Sequence, residues 1–159
     1  MKQKIKWKPL LLALALPLAV GGFSAFLTRD GMKAFQALRQ PPLSPPAWLF
    51  PVVWTILYLM MGLASYLVWA SGVSDRRRDR ALTVYGLSLA ANFLWPILFF
   101  TVQAWLLAFV LLLALWILVG VCALLFGAIA PRAGRLMLPY LAWLTFAAYL
   151  NLGVWLLNR

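Results

Sequence analysis

The chain of 159 residues has no histidine, one cysteine and only three acidic residues. Each scarcity removes a class of chemistry. Without His, and with Cys122 alone, the chain lacks the ligands for a zinc, haem-iron or iron–sulfur site of its own, so neither a metal nor a resident cofactor is expected. One Cys makes no internal disulfide. Cys122 lies in an apolar run, where a thiolate is costly, and reads as a small packing residue. Paired-carboxylate catalysis, a Ser-His-Asp triad and a Cys-His nucleophile are excluded on the same grounds.

Charge of either sign is sparse. Charged residues make up 11% of the chain and apolar residues 65%, against about 25% and 45–50% in soluble domains. This is one membrane domain over residues 1–159. Lys and Arg number 14, giving a net charge of +11, but they lie between apolar segments. They therefore read as topology signals and lipid-headgroup contacts; no basic helix or polar aromatic groove suggests nucleic acid.

What is abundant is apolar sequence in long runs. Spans are expected at about 9–27, 47–70, 81–101, 104–129 and 136–157. The first follows Lys2, Lys4, Lys6 and Lys8, a pattern shared with signal peptides, yet its length suits a span and Ser24-Ala25 makes a poor cleavage site. The uncharged stretch Ala81–Ile129 would be ~73 Å long as one helix, more than twice the hydrocarbon thickness. It must be two spans, with a tight turn at Thr101-Val102-Gln103. Between the first two spans, Pro41, Pro42, Pro45 and Pro46 end a charged loop that begins near Thr28. Proline cannot continue a helix, and long loops are often lids. Runs near 20 residues exclude a β-barrel, whose strands are short and alternating. The fold class is an all-α bundle of five transmembrane helices with a Pro-rich lid loop between helices 1 and 2.

Five spans put the termini on opposite sides. The amino-terminal side carries ten Lys/Arg and the other side four. The excess marks the cytoplasmic side, so the amino terminus is expected inside and the carboxyl terminus outside.

No formal charge lies within the spans, which leaves ion-coupled transport without its usual titratable group. Tryptophan takes that place, with nine residues. Trp7, Trp48, Trp69 and Trp155 fall near span ends, as interfacial anchors do. Others are in register with polar groups. Tyr85, Ser88, Asn92, Trp95 and Phe99 share one face of the third span, and Tyr140, Trp143, Ala147, Asn151 and Val154 one face of the last. Trp54 and Tyr58 are one turn apart. An amide facing lipid is unsatisfied, so these faces turn inward. The amides then serve either as interhelical ties or as polar anchors of an aromatic pocket. Pro96 and Pro139 either open a cavity by kinking their helices or only shape the packing. Gly86 and Ala90 form a small-xxx-small pair for a contact within the bundle or between subunits.

These residues resemble the translocator protein / tryptophan-rich sensory protein family, whose members include peripheral-type benzodiazepine receptors. Three segments carry the resemblance: Pro45-Pro46-Ala47-Trp48 with Pro51, Trp54, Thr55, Leu57 and Tyr58; Asn92, Trp95, Pro96, Phe99 and Phe100; and Pro139-Tyr140-Leu141-Ala142-Trp143 with Phe146, Ala147, Leu150 and Asn151. The resemblance implies a five-helix bundle, often homodimeric, with a cavity beneath the first loop. It implies ligands such as protoporphyrin IX and, in some bacterial members, light-dependent porphyrin breakdown, with Trp54 and Trp143 at the positions tied to that activity. Ligand-lining positions match Phe50, Val53, Asn92, Trp95, Trp105, Ala108, Leu112, Ala147 and Leu150. With Trp54, Tyr58 and Trp143 they form the expected ligand site.

The chain departs from the family where Leu43 and Ala34-Phe35 replace usual lid aromatics. Leu152 and Leu156 replace the Tyr and Arg of the sterol motif, so sterol binding is not expected. A reversed pattern through Arg135, Tyr140 and Leu144 is of a low-specificity kind. Arg29, Lys33 and Arg39 either pair with porphyrin carboxylates or remain solvated. The expected role is a tetrapyrrole sensor or sequestration factor in a bacterial membrane. The alternatives are a transporter of tetrapyrroles or other small hydrophobic solutes, and a ligand-free structural or regulatory subunit.

Overall fold

The computed structural model describes residues 4–159, and Lys2 lies outside them. Five helices follow in order: α1 (Trp7–Phe35), α2 (Leu49–Trp69), α3 (Asp75–Pro96), α4 (Trp105–Ile129) and α5 (Pro131–Asn158). A π-helical turn, Ile97–Thr101, prolongs α3. Each of the five is long and apolar enough to cross a bilayer. Among the described residues there is no strand. The chain is an integral, multi-pass, all-α membrane protein.

The helices close into a ring in the order α1–α2–α5–α4–α3. Inward faces are buried, as at Met61, Tyr85, Leu115 and Tyr140. Outward faces expose Leu12, Leu16, Ile117 and Leu124. Apolar residues lie on both sides because the surrounding lipid accepts them; helices then associate through close packing and polar contacts. Glycine permits the closest approach of α1 and α2. A Cβ on Gly62 would meet the Ala13 carbonyl at 2.5 Å, so a larger residue would drive these helices apart.

Several helices overrun the expected spans. α1 continues past Leu27 to Phe35, α3 starts at Asp75 and α5 at Pro131. Continuing the helix satisfies backbone groups, while long cationic side chains keep their charges in water. Arg29 and Lys33 therefore sit on α1 rather than in a loop.

The end of α3 shows what Pro96 does. It has no N–H, so the regular ladder breaks and widens, and the Val102 N–H bonds the Ile97 carbonyl at 2.9 Å. The Phe93 carbonyl accepts from the Ser24 hydroxyl of α1 at 3.1 Å. Gln103, at φ 57°, reverses the chain into α4.

Candidate functional site

Two aromatic clusters lie on the inner faces, each organised by one asparagine. In the first, the Tyr58 hydroxyl donates to Asn92 Oδ1 at 2.9 Å, and Asn92 Nδ2 donates to the Tyr140 hydroxyl at 2.6 Å. One amide thus ties α2, α3 and α5. Trp54 stacks on Tyr58 with centroids 5.5 Å apart and meets Tyr140 and Trp143 edge-on at 6.0 and 6.5 Å. Phe50 meets Trp143 at 6.0 Å. These are contact distances for aromatic pairs, which favour stacked and edge-on geometries.

In the second cluster, Trp95 Nε1 donates to Asn151 Oδ1 at 3.1 Å, and Asn151 Nδ2 donates to the Trp105 carbonyl at 2.8 Å. This joins α3, α5 and the start of α4. Trp95 stacks on Phe99 at 4.9 Å, and Phe35 from α1 meets Phe99 and Phe100 at 5.4 and 5.3 Å. Trp95 also packs against the main core.

The structure therefore brings together Phe50, Trp54, Tyr58, Asn92 and Trp143, with Val53 on their flank. It places Trp95, Trp105 and Ala108 in the second cluster. Ala147 lies between the two on the α5 face, and Leu112 is in the main core. Leu150 is half-buried and belongs to neither cluster. Tyr140 completes the first cluster and Asn151 the second. Both stand on the α5 face legible in the sequence.

Polar satisfaction is incomplete at two indoles. Trp143 Nε1 and Trp105 Nε1 are buried without a hydrogen-bond partner among the described residues. A buried donor left unpaired costs about 1–3 kcal/mol. Beside Trp143, an almost wholly apolar groove of about 400 Å³ runs between α2 and α5, bounded by Val53, Met60, Pro139 and Phe146. No three His, Cys, Asp or Glu residues come together among the described residues.

The Pro-rich loop lies on the carboxyl-terminal half of α5. The Tyr149 hydroxyl donates to the Pro42 carbonyl at 2.7 Å. Asn158 grips the Arg39 backbone twice: its Oδ1 accepts from the N–H at 3.0 Å and its Nδ2 donates to the carbonyl at 2.9 Å. Pro41 fills the space beside Gly153, where a Cβ would meet it at 2.5 Å. Phe35 and Leu38 pack over the second cluster. These fastenings went unread in the sequence. A Gly and an Asn near the end of a helix are too common to signal a docking track.

Comparison with known proteins agrees with this architecture. The TspO/MBR family model matches residues 13–156. A tryptophan-rich protein TspO from Chlorobaculum tepidum is 36% identical over 150 residues, 94% of this chain and 95% of its own. The translocator protein of Ovis aries is 37% identical over 142 residues, covering 87% of this chain and 84% of its own. Protein CrtK of Rhodobacter capsulatus is 32% identical over 124 residues, 78% of each. With five apolar helices and a match across nearly the whole length, the chain belongs to the TspO/MBR family.

Proposed function

We propose that this protein binds tetrapyrroles, protoporphyrin IX foremost, at the aromatic cluster between α2, α3 and α5, as a membrane sensor or sequestration factor. The carrying observation is the convergence of Trp54, Tyr58, Tyr140 and Trp143 around Asn92. A flat conjugated ring gains from stacking on indoles and from burying a large apolar area. The unpaired Trp143 Nε1 offers one directional contact to a guest acceptor. The rings touch one another, so the guest must part them, and the adjacent apolar groove gives Trp143 room to move. The clustered residues include no His, Cys, Asp or Glu to ligate iron, which favours a metal-free porphyrin.

Light-dependent breakdown is a second reading, favoured by the edge contact of Trp54 and Trp143. An indole is an electron donor to an excited ring, and dioxygen would be the terminal oxidant. The reading also includes an amino terminus on the cytoplasmic side, from the Lys/Arg bias, in a bacterial cytoplasmic membrane. It includes a homodimer through α3, where Gly86 and Ala90 are exposed and the space beside Gly86 is open. The full chain reconstituted in vesicles and titrated with protoporphyrin IX in the dark, then illuminated, tests the proposal. Saturable binding at micromolar porphyrin supports it, and product under light supports the second reading. Non-saturable partitioning equal to that of empty vesicles contradicts it.

A further inference from the structure

A second concavity lies on the α4–α5 seam. A cleft of about 570 Å³ opens where α4 begins and α5 ends, with Gln103, Leu106, Leu107, Val110, Trp155 and Arg159 in its walls. Its chemistry is graded along the helices. At the rim, the Arg159 guanidinium lies over the Trp155 ring, 5.3 Å from its centroid. Gln103, held in the left-handed region at the turn, brings a side-chain amide to the same rim. Going into the span, Leu106, Leu107 and Val110 are 47, 55 and 55% exposed. That wall continues onto the lipid-facing surface of α4.

Side-chain charge at this end of the bundle is mostly cationic. Its only acidic side chain, Asp30, pairs with Lys33 at 3.9 Å. Arg29 is taken up by the Phe26 ring at 4.7 Å. No ion pair among the described residues reaches Arg159. A cationic rim above an exposed apolar wall, at the boundary of a span, suits an amphiphile whose head is an anion. A free phosphate would use the rim and leave the wall uncovered. A zwitterionic lipid would bring an ammonium toward Arg159, while the Trp155 face suited to hold it already carries the guanidinium.

We propose that this cleft binds an anionic phospholipid of the surrounding leaflet. Its phosphate sits at Arg159 and the Gln103 amide, and one acyl chain lies along Leu106, Leu107, Val110 and Trp155. The site faces outward and is separate from the porphyrin reading, so either can fail alone.

The test uses the full chain in bilayers containing phosphatidylglycerol or phosphatidylcholine with brominated acyl chains, read by tryptophan quenching. Brominated phosphatidylglycerol should quench more steeply than phosphatidylcholine, and Trp155→Phe should remove most of the excess. Arg159→Gln should lower the preference about fivefold, the loss of one lipid-facing cation. Lys33→Gln removes the same charge from the same end and should leave the preference in place. Circular dichroism of the variants confirms intact helix. Inorganic phosphate at millimolar concentration should not compete. Equal quenching by both lipids, equal effects of the two charge removals, or displacement by phosphate would each overturn the proposal.

Discussion

The side-chain amide of Asn92 donates to the hydroxyl of Tyr140, 48 residues away, at 2.6 Å. Its carbonyl accepts from Tyr58 at the same time, so one residue on α3 fixes the separation of α2 and α5. Hydrogen bonds between membrane helices average about 0.6 kcal/mol and reach about 1.7. Asn92→Leu breaks two and strands both hydroxyls. A loss of about 1–3 kcal/mol is expected, several degrees in the melting temperature followed by circular dichroism. Tyr58→Phe should cost less, since Asn92 keeps Tyr140.

Gly21 of α1 lies under the Tyr58 ring, where any Cβ would collide with it. Gly21→Val should push Tyr58 off Asn92 and weaken porphyrin binding with Tyr58 itself unchanged. Gly22→Val, one residue along with open space beside it, should behave as wild type. Porphyrin titrations of both variants check this.

The loop fastenings predict a kinetic effect. Asn158→Ala removes two hydrogen bonds to Arg39, and Tyr149→Phe removes one to Pro42. Each exposed bond is worth about 0.5–1.5 kcal/mol. Porphyrin dissociation, followed by recovery of tryptophan fluorescence, should accelerate about tenfold or more in the double variant, since three such bonds sum to ~1.5 kcal/mol at the low end of that range. The melting temperature should fall by a few degrees as well.

If Trp54 and Trp143 donate electrons to an excited ring, Trp54→Phe and Trp143→Phe should leave bound porphyrin largely intact under illumination. Loss of the porphyrin absorbance band measures the rate. Phe keeps an aromatic wall, so dark binding should persist while the light step slows.

How far the sequence reached follows from what each feature depends on. The faces of Asn92 and Asn151 were legible because helical period and the cost of an amide in lipid are both local. Both asparagines are buried and bonded as that argument requires. The overrun of α1 to Phe35 was not, because Arg29, Asp30 and Lys33 look like loop residues until their charges are seen to reach water from a helix. The hydrogen bond from Ser24 to the Phe93 carbonyl spans 69 residues, and no local pattern contains it. Gly86 faces outward with open space beside it, so it makes no close helix contact within the bundle, which spacing alone could not say.

The central claim is that the inward rings, and not tryptophans in general, hold the planar guest. Dark titration with protoporphyrin IX of wild type, Trp54→Leu, Trp143→Leu and Trp116→Leu tests it most directly; Trp116 is 41% exposed on the outer side of α4. Loss of one stacking indole is worth ~1.4 kcal/mol, so the first two variants should bind about tenfold more weakly, with Trp116→Leu unchanged. Equal weakening by all three, or by none, would contradict the account.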